Sequence, residues 1–353
     1  MSCCIPILGY YGHNNAGDEA FKAAFSGALG DVPHQFVTSL PQGGSTPVTL
    51  FGGGAILNEY FTKYLSSARS IYAVGCSFPY GDKDIHILDP LRDRLRCLLL
   101  RSRRDVAVAR AAGYDATFTP DLVFSAKPVT DPGEGMTIDQ LVSLAVLPPQ
   151  GFSPDRRKLF VFLSGDYWLD YLTGNRKRFE EIELLKERLA KALDAMSARY
   201  DIVMPSMSVW YSARDYIFAG DVLKRMRRRE RVCLIERYVD APDLISVLAR
   251  TDGIVLSMKY HGLVFGLLSG RFAVNVGTTR KTLDLMEDFG TPGLTFDSRK
   301  QTSDMLIETL SRAEEPALMQ HIAMRSGEWK AEAIARLRDV ADMVREECRP
   351  IAA

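Results

Sequence analysis

The stretch GIVLSMKYHGLVFGLLSGRFAVNVG, residues 253–277, decides the fold. It opens on a short apolar run, GIVL (253–256), and closes on another, FAVNV (272–276), with the helical-looking LVFGLLSG (263–270) between them. Two short apolar strands joined through a helix make a βαβ unit, whose strands run parallel and are covered on both faces. The link between strand and helix, SMKYHG (257–262), puts Lys259 and His261 at the end of a buried strand, where packing selects apolar residues. A functional reason for them competes with a plain one, in which Lys259 is exposed and His261 caps the next helix.

The same alternation runs through the chain. The first half gives strands at 5–8, 34–37, 48–51, 71–74 and 97–100, with helices over 18–29, 57–67, 86–95 and 103–112. The Pro- and Gly-rich segment SAKPVTDPGEGMTIDQ (125–140) then reads as a linker. Beyond it strands fall at 159–163, 201–204, 232–235, 253–256 and 272–276, and helices over 177–199, 213–229, 241–250, 262–269 and 280–289. The stretch 301–347 is helical throughout. The expected organisation is α/β: a Rossmann-like domain over 1–130, a linker over 131–155, a second Rossmann-like domain over 156–300, and C-terminal helices over 301–353.

Composition narrows the function classes. Lys and Arg total 44 and Asp and Glu total 44, so the formal net charge is zero and general nucleic-acid binding is not indicated. No apolar run is long enough to span a bilayer. The opening MSCCIPILGYYG has no basic leader and runs straight into a strand, unlike a signal peptide. The six cysteines are scattered without a C-x-x-C pair, which fits a reduced, cytoplasmic protein without a zinc site. The arginine cluster RMRRRER (225–231) reads first as the solvated end of an exposed helix and second as a contact for anionic lipid headgroups at the inner face of a membrane.

Parallel α/β sheets bind ligands outside the carboxyl ends of their strands, so the loops there hold the candidates. After 5–8 comes GYYGHNNAGDEA, containing Gly12, His13, Asn14, Asn15 and Asp18. Its glycines suit a turn and Asp18 suits a first helical turn, but the paired asparagines are not explained that way. No G-K-[ST] follows, and the G-x-G-x-x-G spacing is absent. After 48–51 come three glycines, including Gly53 and Gly54, whose backbone without side chains suits close approach of a ligand or an anion nest. Arg101 follows CLLL directly, Trp168 lies in SGDYW after 159–163, and Lys281 follows FAVNVGTTR.

GYYGHNNAGDEAF, LFGGGAIL, LRSRRDVAVARAAGY with TPDLVF, and LSMKYHGLVFGLLSGRFAVNVGTTRKTLDLMEDFG occur in that order. Together they resemble the polysaccharide pyruvyl transferase family over roughly residues 5–290. The resemblance implies two facing Rossmann-like domains of the GT-B type. It also implies transfer of a pyruvyl group from phosphoenolpyruvate to two sugar hydroxyls as a cyclic ketal, with release of phosphate. Two departures stand out. Lys259 occupies a position where the family pattern has arginine, keeping the charge but losing the bidentate fork. SGDYW stands where an arginine is common.

The residues can be weighed against that chemistry. Phosphoenolpyruvate is a small anion that needs fixed cations and backbone N–H donors, which Arg101, Lys259, Lys281 and the helix start at Gly262 can supply. The reaction adds a proton to the methylene carbon and removes protons from two hydroxyls, work that suits His261 with Asp18 as a second candidate. Gly12, His13, Asn14, Asn15, Gly53, Gly54 and Trp168 fall to the sugar acceptor, which is either lipid-linked or a polysaccharide repeat unit. No step needs a metal or a cofactor beyond the donor. A GT-B glycosyltransferase using a nucleotide sugar, and an inactive glycan-binding protein on the same fold, are the alternative readings.

Overall fold

A computed structural model describes residues 4–40, 46–127, 134–146, 149–165, 176–210 and 214–348. The chain forms two compact units. The first takes residues 1–13, 18–126 and 327–353; the second takes 14–17 and 127–326.

The first unit is built on a six-stranded sheet of β1 (Ile5–Leu8), β2 (His34–Val37), β3 (Thr46–Gly54), β4 (Ala68–Cys76), β5 (Leu95–Leu100) and β6 (Thr117–Phe118). Every pairing is parallel, in the order β2-β1-β3-β4-β5-β6. The strand order reverses between β1 and β3, the kind of position outside whose carboxyl ends parallel sheets bind ligands. Helices α1 (Ala16–Leu29), α2 (Glu59–Thr62) and α3 (Arg103–Ala111) follow strands of this sheet. The expected helix over 86–95 is instead part of a 3₁₀ run, Gly81–Arg94, because Pro90 cannot donate to a continuous α-helical ladder.

The second sheet is also wholly parallel: β7 (Lys158–Phe162), β8 (Asp201–Ser206), β9 (Val232–Tyr238), β10 (Gly253–Ser257), β11 (Ala273–Val276) and β12 (Thr295–Phe296), in the order β12-β11-β10-β7-β8-β9. Its order reverses between β7 and β10, the strand that opens the 253–277 stretch. Strands β7, β8, β10 and β11 are buried along their whole length, which explains why they read as unbroken apolar runs. The helices are α4 (Ile138–Ser143), α5 (Arg176–Met196), α6 (Asp215–Arg225), α7 (Ala241–Arg250), α8 (Tyr260–Leu268), α9 (Arg280–Phe289) and α10 (Ser303–Ser311). Helix α4, inside the stretch read as a linker, opens with a capping box between Thr137 and Gln140. Asp240 caps α7 by accepting the Asp243 N–H at 3.0 Å, and Gly290 ends α9 with a left-handed turn, matching the sequence boundaries at 241–250 and 280–289.

The last helix, α11 (Pro316–Glu347), begins in the second unit and ends in the first. Trp329, only 2% exposed, packs its ring 5.1 Å from Phe124 and 6.0 Å from Phe118. Near its end, Glu347 accepts hydrogen bonds from Ser70 and Tyr72 of β4.

A buried charged cluster closes the amino-terminal end of β7 and β8. Asp201 and Lys158 are both fully buried, with Lys158 Nζ 3.5 Å from Asp201, and Arg156 and Arg231 approach the same carboxylate at 3.5 and 3.4 Å. Burial lowers the Lys158 pKa although Asp201 opposes the shift. Lys158 also donates to the carbonyls of Ser153, Pro154 and Arg156, so every proton of the ammonium has an acceptor.

Candidate active site

The sequence places Lys259 and His261 at the carboxyl end of β10, and the structure gives that end a firm geometry. Ser257 Oγ accepts the Lys259 N–H at 3.0 Å and donates to the Lys259 carbonyl at 2.8 Å, folding the chain tightly into α8. Lys259 is the N-cap of α8 and makes no side-chain cap bond. Thr279, the N-cap of α9 after β11, makes none either. Both strand-to-helix turns therefore present first-turn N–H groups without a side-chain cap, the arrangement that receives anions at helix N-termini.

Lys259 Nζ lies 2.9 Å from Asp215, a residue in the first turn of α6 after β8. The lysine side chain is 11% exposed and the aspartate 2%. The Asp215 carboxylate also accepts the Gly165 N–H at 3.1 Å and the Ser208 N–H at 2.8 Å. Three strand ends, those of β7, β8 and β10, are thus tied to one carboxylate. Burial raises the Asp215 pKa, and the Lys259 ammonium and the two N–H donors pull against that shift. Sequence reasoning missed Asp215, because an acidic residue in a first helical turn already has an ordinary explanation in the helix dipole.

His261 is the second residue of α8 and half-buried. Its ring meets Tyr260 edge-on at 5.1 Å and Phe265 at 6.2 Å. Residues 14–17 pack with the second unit: Asn15 bridges Ser208, and the Ala16 N–H donates to the Met207 carbonyl at 2.9 Å. Gly17 passes directly over His261, and a Cβ on Gly17 would overlap the imidazole at Nδ1. Glycine is required there by close approach rather than by a turn. Gly17→Ala is therefore expected to push the imidazole out of place and lower turnover by up to about 10²-fold. A kcat measurement beside a thermal melt checks this, and unchanged kcat would show that the ring position is not critical.

Gly262, read from sequence as an anion contact, has a packing reason of its own. Its Cβ would collide with Ser257 Oγ and lie 2.8 Å from Phe162 Cβ. Lys281 is exposed in the first turn of α9, beside Arg280, whose Nε is 3.6 Å from Asp284. Trp168 lies outside the described residues.

The first unit holds the other candidates. His13 stacks on Tyr10 with ring centroids 4.2 Å apart, and Tyr10 meets Phe61 edge-on at 6.3 Å. The Gly12 N–H donates to Glu19 at 2.5 Å. Asn14, counted with the second unit, is exposed and has φ +48°, a left-handed conformation that asparagine tolerates. Asp18 is half-buried, and Gly54 leaves room for it, since a Cβ there would sit 3.3 Å from Asp18 Oδ1. Gly53, at φ +82°, packs so closely on the Phe21 ring that no side chain fits. Packing and conformation therefore account for the glycine run on their own.

Arg101 is 5% exposed, with its Nε donating to Ser77 Oγ at 3.1 Å and its Nη1 paired with the fully buried Asp121 at 2.8 Å. Asp121 also accepts the Val123 N–H at 3.0 Å. This pair joins the end of β5 to the TPDLVF segment inside the first unit. Asp121→Asn removes the charge but keeps the shape, and is expected to destabilise by about 1–3 kcal/mol. Urea denaturation reads this directly, and an unchanged midpoint would remove the structural role.

The described residues hold no group of three or more His, Cys, Asp or Glu able to take a metal ion, and no helix among them is long and apolar enough to cross a membrane.

Comparison with known proteins agrees with this architecture. The UDP co-structure of MnaA from S. aureus superposes with a TM-score of 0.61 at 12% identity, covering 98% of this chain and 95% of that one. The spinosyn forosaminyltransferase SpnP gives a TM-score of 0.47 at 12% identity, with 98% and 99% covered. At such identity the likeness to MnaA concerns the fold alone: two Rossmann-like units of the GT-B class. A search of curated protein sequences returned no match. Residues 15–278, which run from the Asn15 loop through the whole Lys259–His261 turn to the end of β11, match the description polysaccharide pyruvyl transferase, and the chain belongs to that family of transferases.

Proposed function

We propose that the protein transfers the pyruvyl group of phosphoenolpyruvate to two hydroxyls of one sugar in a glycan or glycolipid precursor, forming a cyclic ketal and releasing phosphate. The observation that carries this reading is the turn at residues 257–262, which sets a nearly buried ammonium and a half-buried imidazole at an uncapped helix N-terminus, beside the point where the second sheet reverses its strand order. Family membership supplies the reaction class.

Each group then has a task. The first-turn N–H groups of α8 and α9, with Lys259 and Lys281, hold the phosphate and carboxylate of the donor. Asp215 fixes the lysine and offsets part of its charge, so the site suits a bound anion without an unpaired buried cation. A proton delivered to the methylene carbon by His261 turns the enol phosphate into an oxocarbenium-like centre, which the first hydroxyl attacks. The proton of that hydroxyl returns to the imidazole. The second hydroxyl then closes the ketal as the C–O bond to phosphate breaks, and its proton leaves with the phosphate. Asp18 and the amides of Asn14 and Asn15 are assigned to sugar hydroxyls, for which asparagine is both donor and acceptor.

Purified protein given phosphoenolpyruvate and a panel of glycosides should release phosphate only when the right acceptor is present. Phosphate release at the same rate without any acceptor would contradict transfer. Asp18→Asn keeps the side-chain shape, and unchanged turnover in that variant would remove Asp18 as a base.

A further inference from the structure

The first unit carries a second concentration of positive charge that the proposed reaction does not use. A cavity of about 480 Å³ opens between α3, the edge strand β6 and α11. Arg103, Val106 and Arg110 line it from α3, Phe118 from β6, and Glu332 and Arg336 from α11. All six belong to the first unit.

Three guanidinium groups thus meet one carboxylate. Arg103 sits over the Phe118 ring, its guanidinium carbon 4.1 Å from the centroid. Arg110 spends its Nε on the Ala116 carbonyl at 2.7 Å and has no carboxylate within ion-pair distance among the described residues. Arg336 reaches Glu332 only at 3.6 Å, and its buried Nε has no hydrogen-bond partner among the described residues. A buried N–H without an acceptor is unfavourable, and a ligand oxygen would satisfy it. Guanidinium forks match the oxygens of phosphate in pairs. The volume lies within the usual range for small-ligand sites, and Val106 and Phe118 give the cavity an apolar wall.

We infer that this cavity binds a phosphate-bearing ligand, with its phosphate oxygens on Arg110 and Arg336 and an apolar portion against Phe118 and Val106. The phosphate belongs either to a soluble molecule or to a lipid headgroup at a membrane surface. The inference is independent of the reaction proposed above, because none of these residues has a role in it.

Two probes distinguish the sources: pyrophosphate in a calorimetric titration, and vesicles of equal parts phosphatidylglycerol and phosphatidylcholine in a sedimentation assay. Each charged contact is worth roughly tenfold in affinity, so the Arg110→Gln/Arg336→Gln double variant should weaken binding about a hundredfold. Glu332→Gln, which removes the lone carboxylate, should tighten it by about twofold to fivefold, a gain that misfolding cannot imitate. Pyrophosphate binding lost in the double variant identifies a soluble ligand, and vesicle binding lost in the same variant identifies a headgroup. No binding of either probe, or binding that the double variant leaves unchanged, overturns the inference.

Discussion

His261→Gln should lower turnover by about 10²–10⁴-fold, the usual contribution of a positioned general acid–base group. Glutamine keeps a polar side chain of similar reach but cannot carry a proton back and forth near neutral pH. The fold should survive, because the half-buried ring lies under the Gly17 backbone, edge-on to Tyr260 and 6.2 Å from Phe265, outside the buried apolar core. Donor binding should survive as well, since Lys259 and the two uncapped helix starts remain. A kinetic split checks this: a large fall in kcat with a small change in the half-saturating phosphoenolpyruvate concentration. The reverse split, weak donor binding with near-normal kcat at saturation, would mean that His261 only holds phosphate.

Asp215→Ala should destabilise the protein by about 3–5 kcal/mol, the scale for removing one partner of a buried ion pair. The loss leaves the Lys259 ammonium without its carboxylate and the Gly165 and Ser208 N–H groups without their acceptor. The ends of three strands would loosen together. Lys259→Met, the opposite half of the pair, strips away the charge that opposes the upward shift of Asp215. A carboxyl whose pKa is higher folded than unfolded favours the folded state at low pH, and that contribution is lost as pH rises from its unfolded value of about 3.9 toward its folded one. Lys259→Met should therefore lose more stability than the parent between acidic and neutral pH, and adding Asp215→Asn should remove that extra loss. Urea midpoints measured across this range read the effect. A pH dependence identical in the parent and Lys259→Met would show that the pair is uncoupled.

Much of this architecture was legible because the second sheet is buried on both faces. Strands covered that way read as solid apolar runs, so β7, β8, β10 and β11 stood out, and a lysine and a histidine at the end of β10 were conspicuous. The edge strands β6 and β12 were not, since two residues each carry no periodicity. The partners of the conspicuous residues were hidden for a different reason. Asp215 stands 44 residues before Lys259, and nothing local shows that its carboxylate is buried or what it holds. Gly17 reads as an ordinary glycine in AGDEA, and only the folded chain brings its backbone over His261. Arg101 and TPDLVF were both visible as motifs, but their joining through Asp121 arises only in the folded chain, and the pairing gives Arg101 a structural task that its strand-end position did not suggest.

Pyruvyl transfer is tested most directly by mass spectrometry of a glycoside acceptor panel after incubation with phosphoenolpyruvate, with phosphate followed in parallel. Pyruvyl transfer should give an acceptor that gains one pyruvate less one water, in step with one phosphate released, and that gain should be lost when His261 is replaced by glutamine. Acceptors left unmodified with phosphoenolpyruvate but extended by a sugar when a nucleotide sugar is supplied would contradict it.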